Sequence, residues 1–261
     1  MAIRHGPARH RRKNRPDSQR RRTQCGNTRP CVQTGAGVPL VNIALAILWK
    51  DLITEWRARD RVIAMLLFSL LTAVIFYFAL PDQRPETLRA LTPGLLWTAY
   101  LFAAILGLNR SFALELENEA LSGLALAPGG RGWIFLGKMA ANFILLSLVQ
   151  VLTALAFAIF YGIDFGSSIG ELSLTIGLAT LGICSVGTLL AAMAVRTRLR
   201  EVLLPILLLP ALVPILAGAV RATLSVMAGE ELPFSAIQLL IVIDGIYLVV
   251  SFLGFDYILD E

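Results

Sequence analysis

Histidine is missing from most of this chain. The sequence has two, His5 and His10, and both lie in its first ten residues. Haem iron and other metals are commonly held by histidine, and a serine or cysteine nucleophile usually needs a base such as histidine. Cysteine is scarce as well, and Cys25, Cys31 and Cys184 have no zinc-type spacing. We therefore predict no catalytic residue, no metal site and no cofactor bound by this chain.

Charged residues are the second shortage. They make up 16% of the sequence, and hydrophobic residues make up 56%, whereas a soluble domain has about 25% charged residues. This composition excludes an ordinary soluble domain and, for most of the chain, a disordered protein. Apolar runs approach or exceed about 20 residues, the length that a helix needs to cross a bilayer. The chain is therefore predicted to be an all-α polytopic membrane protein.

The first forty residues differ from the rest. They hold ten of the 23 Lys and Arg side chains but only one of the 18 acids, Asp17. The basic character belongs to this segment, so no nucleic-acid partner is predicted. The segment also lacks the apolar run of a secretory signal. We expect residues 1–40 to be a disordered basic extension and 41–261 to be the membrane domain. An alternative is that translation starts at Val41, a codon that can serve as a start.

Six apolar segments are long enough to span a membrane: 62–80, 93–109, 133–161, 169–195, 202–220 and 236–258. Before them, residues 42–59 are typical of an amphipathic helix lying among lipid headgroups. Its apolar face contains Ile43, Ala46, Trp49, Ile53 and Trp56. With the N-terminus inside, ten Lys and Arg lie on the cytoplasmic side and three outside. Both termini are therefore predicted to be cytoplasmic.

The largest cytoplasmic connection, 110–132, combines acids with an apolar stripe. The acids are Glu115, Glu117 and Glu119, and the stripe follows through Leu121, Leu124 and Leu126. We predict a short helix at the membrane surface that offers both kinds of side chain to a cytoplasmic partner. A merely solvated loop is the alternative.

Two features inside the spans invite a functional interpretation. Asp244 is an ionisable residue within an apolar run, and such residues are functional candidates by default. It would pair with Arg221 or face a polar crevice, unless it lies at the outer interface instead. The fifth span contains Pro205, Pro210 and Pro214, which predict helix kinks or a re-entrant segment.

One segment resembles a nucleotide-binding motif but lacks two of its required features. Residues 132–139 resemble a phosphate-binding loop, but Met139 stands where Ser or Thr must reach magnesium. The segment also enters an apolar helix instead of following a strand. ATP binding by this chain is therefore not predicted, and Lys138 is interpreted as an anchor at the membrane interface.

Four segments carry a resemblance to a known family. They are Thr92 to Trp97, Arg110-Ser-Phe112 with the acidic stretch after it, Lys138-Met139, and Leu203 to Pro214. Together they resemble the cytochrome c maturation protein B family, the membrane subunit of the bacterial haem-exporter ABC system. The resemblance covers about residues 41–261.

The resemblance implies an ABC-2-type permease fold in the bacterial inner membrane, in contact with membrane lipid and paired as a homodimer. It also implies a cytoplasmic ABC ATPase that uses the ATP, other cytochrome c maturation proteins and a periplasmic haem chaperone, with haem as a candidate cargo. The ATPase would dock on a coupling helix that contains Arg110, Phe112, Glu115, Glu117, Asn118, Glu119, Leu121 and Leu124. Family members often have Gly and Glu where this chain has Glu119 and Ser122.

Two other interpretations stay open on the residues alone. An ABC-2 permease could carry another cargo, such as a drug or a lipid-linked glycan. An intramembrane enzyme would need a paired acid site, for which Asp244 and Asp256 are the candidates. These two acids are twelve residues apart in one span, which disfavours the enzyme.

Overall fold

The computed structural model describes residues 40–80, 85–117, 131–162, 168–194, 197 and 199–258. In these ranges the chain forms seven α-helices and no strand. They are α1 (Leu40–Ala58), α2 (Asp60–Ala79), α3 (Pro85–Glu117), α4 (Arg131–Tyr161), α5 (Ile169–Ala194), α6 (Arg200–Met227) and α7 (Phe234–Ile258). Helices α2 to α7 each contain an apolar stretch long enough to cross a membrane. The prediction of an all-α, multi-pass membrane protein is confirmed. The basic extension 1–40 lies outside the described residues except for its last residue.

Helices α3 and α5 form the centre of the bundle. In each of them 61% of the apolar segment is buried, compared with 17% in α2 and 22% in α7. Helix α3 packs against α2, α4, α5 and α6, and α5 packs against α4, α6 and α7. Small residues of α5 allow this packing, because a methyl group added at Gly187 would overlap the side chain of Leu108 on α3.

Helix α3 is longer at both ends than the sequence pattern predicts. Helix α3 begins at Pro85, eight residues before Pro93, because proline suits the first turn of a helix and helix-forming residues follow it. At the other end α3 continues through Arg110 to Glu117, where no Gly or Pro interrupts the chain. The first part of the predicted surface helix is therefore an extension of α3. Residues 118–130 lie outside the described part of the chain.

The three prolines of α6 do not divide it. The helix runs without interruption from Arg200 to Met227, with Pro205, Pro210 and Pro214 inside it. The re-entrant alternative is therefore wrong for this segment. The flanking apolar residues Leu204, Leu208 and Leu212 are buried, so packing stabilises the helix where prolines remove backbone hydrogen bonds.

Candidate functional site: a buried polar junction below the coupling segment

Helix α1 turns its acids towards the protein and its large apolar residues away from it. The exposed stripe contains Val41, Leu45, Trp49, Ile53 and Trp56. On the other face, Glu55 is 5% exposed, and Asp51 is largely buried against α4. The predicted apolar face is confirmed at Ala46, Trp49, Ile53 and Trp56, whereas Ile43 is half-buried and packs against the core. An exposed Trp-containing face with the acids turned inward suits a helix that lies against lipid.

The first of these acids pairs with a buried lysine. Asp51 Oδ2 lies 3.3 Å from Lys138 Nζ, and Lys138 is 1% exposed. Asp51 also contacts Lys50 at 3.2 Å. Lys138 is thus a buried partner of α1, and the interpretation of this residue as an interfacial anchor is wrong. The close approach is made possible by Gly137, since a methyl group there would come 2.7 Å from the carbonyl oxygen of Ala44.

The second acid holds the turn between α1 and α2. Arg59 joins the two helices in the left-handed region at φ 55°, an uncommon conformation for a residue with a side chain. One oxygen of Glu55 accepts a hydrogen bond at 3.2 Å from the backbone N–H of Val62, in the first turn of α2. The other oxygen lies 3.7 Å from Nε of Arg61. Glu55 therefore caps α2 and neutralises its buried arginine at the same time.

Asn142 is the centre of the network. Its Oδ1 accepts hydrogen bonds of 3.0 Å from Nη2 of Arg61 and from Oγ of Ser111. Its Nδ2 donates a hydrogen bond of 3.0 Å to Oγ1 of Thr188. These bonds join α2, α3, α4 and α5 through one side chain. We call the five residues Glu55, Arg61, Ser111, Asn142 and Thr188 the polar junction.

All five side chains of the polar junction are buried, with Arg61 8% and Asn142 4% exposed. A buried guanidinium is costly unless its charge is balanced and its donors are bonded. Glu55 supplies the charge and Asn142 supplies the acceptor. Beside them is a small cavity whose lining includes Arg61, Asn142, Met65, Gly107 and Cys184.

The predicted coupling helix begins directly at this junction. Ser111 bonds to Asn142, and its neighbour Arg110 lies 3.4 Å from Asp60 in an exposed ion pair. Phe112, Glu115 and Glu117 belong to α3, but the positions of their side chains lie outside the description. The remaining predicted coupling residues, Asn118, Glu119, Leu121 and Leu124, lie outside the described residues. The structure thus connects the N-terminal part of this segment to the junction by unbroken helix.

Polar side chains also connect the helices further from α1. Trp97 of α3 donates a hydrogen bond of 3.0 Å from Nε1 to Thr223 of α6. The hydroxyl of Tyr100 donates to the backbone carbonyl of Gln150 at 2.9 Å, and Thr180 donates to the Gln150 side chain at 2.7 Å. Helix α3 is therefore bonded to α4 and α6 outside the polar junction, in addition to the bond between Ser111 and Asn142 inside it. A shift of α3 must move these helices or break the bonds.

Asp244 lies well inside α7. It is ten residues beyond Phe234, where the helix begins, or about 15 Å along the axis. Its residue is 3% exposed, and neither carboxylate oxygen has a hydrogen-bond partner. Arg221 is exposed and does not pair with it. The predicted pairing with Arg221 and the alternative position at the outer membrane interface are therefore wrong. Asp244 lies in a buried contact between helices and not in a polar crevice.

The described residues bring together no catalytic pair. No group of three His, Cys, Asp or Glu among them could hold a metal ion. Asp244 and Asp256 lie on the same helix, twelve residues and about 18 Å apart, so they cannot share a proton as a protease dyad does.

Sequence reasoning missed the polar junction. Glu55 and Thr188 were not singled out, Arg61 was only counted among the cytoplasmic charges, and Ser111 entered only as part of the family resemblance. Asn142 gave the available signal, because an amide in the middle of an apolar run is costly unless it is bonded. Its partners could not be known before the helices were placed side by side.

Asn142→Leu should destabilise the protein by about 1–3 kcal/mol, because it leaves buried donors of Arg61 and Ser111 without an acceptor. The measurement is unfolding of the purified protein in one detergent. Gln238→Leu is the matched control, since Gln238 is an exposed amide on α7. Equal unfolding of the two variants would contradict the assignment of Asn142 as the centre of the junction.

Known proteins match the part of the chain that forms these helices. The family model described as CcmB protein matches residues 42–255. A protein of Rhodobacter capsulatus named heme exporter protein B is 34% identical over 66% of this chain and 78% of its own length. Proteins of the same name from Pseudomonas aeruginosa and Paracoccus denitrificans are each 30% identical, over 70% and 75% of this chain and 82% and 88% of their own lengths. The match spans α1 to α7 and includes every residue of the polar junction, and the chain belongs to the CcmB protein family.

Proposed function

We propose that this chain is the membrane permease subunit of an ABC transporter that acts in cytochrome c biogenesis. The observation that carries the proposal is the family match over residues 42–255, together with relatives named heme exporter protein B. Haem is the candidate cargo, either exported directly or moved when a haem-loaded chaperone is released. ATP is hydrolysed by a separate cytoplasmic subunit, and this chain catalyses no reaction.

The chain would act in the bacterial inner membrane, with both termini in the cytoplasm. Six membrane-length helices and the excess of Lys and Arg on one side support this orientation. Because ABC permeases need two membrane halves, we propose a homodimer. Its further partners would be the other cytochrome c maturation proteins and the periplasmic haem chaperone.

The cytoplasmic ATPase would dock on the segment from Arg110 to Leu124. Helix α3 supports this proposal, because its last two turns carry Arg110 at the end of the membrane-length stretch Thr87–Ser111 and carry Phe112, Glu115 and Glu117 beyond it. A force applied there acts on one continuous helix. That helix is bonded to Asn142 at Ser111 and to α6 at Trp97.

The polar junction would pass this movement to α1, α2 and α5. Ser111 and Arg61 donate to the same oxygen of Asn142, and Thr188 accepts from its nitrogen. Displacing Ser111 therefore disturbs the environment of Arg61, whose charge cannot remain buried without its partners. The proposal is a mechanical role, in which ATP hydrolysis by the partner rearranges these helices.

Helix α1 would stay at the membrane surface during this movement. Its outward stripe, including Trp49 at 66% and Trp56 at 75% exposed, suits the headgroup layer, where Trp side chains are enriched. The Lys138–Asp51 pair ties α1 to α4 from the protein side. Asp244 is proposed as a further functional group inside the membrane, because it is a buried acid without a partner.

Haem would not be held through a histidine of the membrane domain. No histidine occurs after His10, so axial ligation by this residue type would have to come from outside the membrane domain. This favours the release of a haem-loaded chaperone over the binding of haem inside this subunit.

Deletion of the gene, with complementation by the intact chain, tests the proposed pathway. We expect c-type cytochromes with covalent haem to be lost in the deletion strain and restored by the chain. If the haem-loaded chaperone still accumulates, the subunit acts in release; if the loaded chaperone is missing too, it acts in haem delivery. Normal c-type cytochromes would contradict the proposal and favour a permease for another cargo, such as a drug or a lipid-linked glycan.

The double variant Glu115→Lys, Glu117→Lys should weaken co-purification of the ATPase subunit at least tenfold, equivalent to about 1.4 kcal/mol. The two introduced lysines would repel the cationic surface of the ATPase that the glutamates are proposed to contact. The matched control is Glu171→Lys, because Glu171 is an exposed acid at the start of α5, at the opposite end of that helix from the cytoplasmic side. Unchanged co-purification of the double variant would remove the coupling assignment.

A further inference from the structure

Asp244 lies in an enclosed contact between three helices. A methyl group added at Gly182 of α5 would overlap Oδ1 of Asp244 and would lie 2.8 Å from Cδ1 of Ile215 on α6. The carboxyl group therefore fills the space left by the missing side chain of Gly182. Both of its oxygens are buried without a hydrogen-bond partner.

Two more polar groups without partners lie along the same helix pair. Ser185 is one turn beyond Gly182 on α5, and Ser251 is two turns beyond Asp244 on α7. The hydroxyl oxygens of both serines are buried and lack a hydrogen-bond partner. Helices α5 and α7 pack together, and both run from the outer to the inner side in the predicted orientation. The three groups therefore follow one interface towards the cytoplasmic end.

Three buried polar side chains without hydrogen-bond partners along one helix pair are unusual, because buried polar groups are nearly always hydrogen-bonded. An unpartnered hydroxyl costs free energy, and an unpartnered charge costs much more. The arrangement is sustained only if Asp244 is neutral.

The described side chains of the helices around Asp244 supply no balancing charge. On α4, Lys138 pairs with Asp51 of α1. On α5, Glu171 is exposed near the outer end, and on α6, Arg221 is exposed six residues beyond Ile215.

Two further titratable side chains are described near this interface, and both are uncharged. Cys184 of α5 is buried and faces the cavity beside Arg61. On α7 itself, the hydroxyl of Tyr247 donates to the carbonyl of Ala211 at 2.6 Å. Among the described residues no ion pair reaches Asp244, so an ionised carboxylate would have no compensation in this packing.

We propose that Asp244 is a proton-binding site that controls the α5–α7 interface. With its proton bound, the neutral carboxyl group packs on Gly182 and the interface is closed. When α5 and α7 separate, water reaches the group, the O–H bond breaks, the proton passes to water and the carboxylate remains. Ser185 and Ser251 then serve as hydrogen-bonding positions for the water that enters.

This inference deepens the functional role proposed above for Asp244 and adds its ligand, the proton. The linkage between proton binding and opening sets how strongly the ratio of open to closed interface depends on pH. Where the closed form is neutral and the open form is ionised, the ratio of open to closed form rises at most about tenfold for each unit of increase in pH. Opening is therefore favoured by alkaline conditions and opposed by acid.

The first test is infrared spectroscopy of the full chain in lipid nanodiscs, without ATPase or haem. We expect the C=O stretch of a buried, neutral carboxylic acid at neutral pH, lost in Asp244→Asn and retained in Glu171→Gln. If Asp244→Asn does not fold, the same band in the wild-type chain must disappear as pH rises. Absence of the band at neutral pH in the wild-type chain would overturn the proposal.

The second test measures opening directly. Spin labels at the exposed positions Leu174 of α5 and Ile241 of α7, in a chain with its native cysteines replaced, report the distance between the helices. We expect the longer-distance population to grow with pH in the labelled chain and in Glu171→Gln, and to be independent of pH in Asp244→Asn. Equal pH responses in all three, or a response to sodium at constant pH, would overturn the proton assignment.

Neither measurement depends on cargo or on the ATPase. A negative result here leaves the proposed role in cytochrome c biogenesis intact, and failure of that role leaves these readouts unaffected.

Discussion

The buried charge of Arg61 is the constraint on which the packing of α1 to α5 around the polar junction depends. A guanidinium at 8% exposure must be neutralised and hydrogen-bonded, because an unpaired buried charge is strongly destabilising. Glu55 of α1 supplies the opposite charge 3.7 Å from Nε, and Asn142 of α4 accepts a hydrogen bond from Nη2. Their positions in turn fix the turn at Arg59 and the level at which α3 meets α4 through Ser111. A local electrostatic requirement thus connects five helices.

The same requirement explains the unusual orientation of α1. An amphipathic helix of a soluble protein turns its charges to water, whereas here Asp51 and Glu55 face the protein and the Trp residues face outward. Lipid is the environment in which this orientation is favourable, since the apolar stripe is solvated by acyl chains while both acids are paired. The ion pairs of Asp51 and Glu55 therefore hold α1 against the bundle, and its exposed apolar stripe holds it against the membrane.

The fold was largely accessible from the sequence, and the site was not. Long apolar runs locate the six spanning helices because helix length and bilayer thickness are directly linked. Their ends were less certain: α3 passes the predicted end at Asn109, since Arg110 to Glu117 contain no residue that stops a helix. Lys138 and Asp244 were misplaced for a different reason. Periodicity says which face a residue occupies, but not which helix covers that face.

We propose that Asn142 transmits movement from the proposed ATPase-docking segment without forming part of the docking surface. Release of the haem-loaded chaperone by the membrane complex, measured beside the amount of ATPase bound to it, separates these roles in an Asn142→Leu chain. Transmission through the junction requires normal ATPase binding with at least a tenfold slower release. Release at the wild-type rate would contradict the claim, because α3 would then act on the other helices without the polar junction.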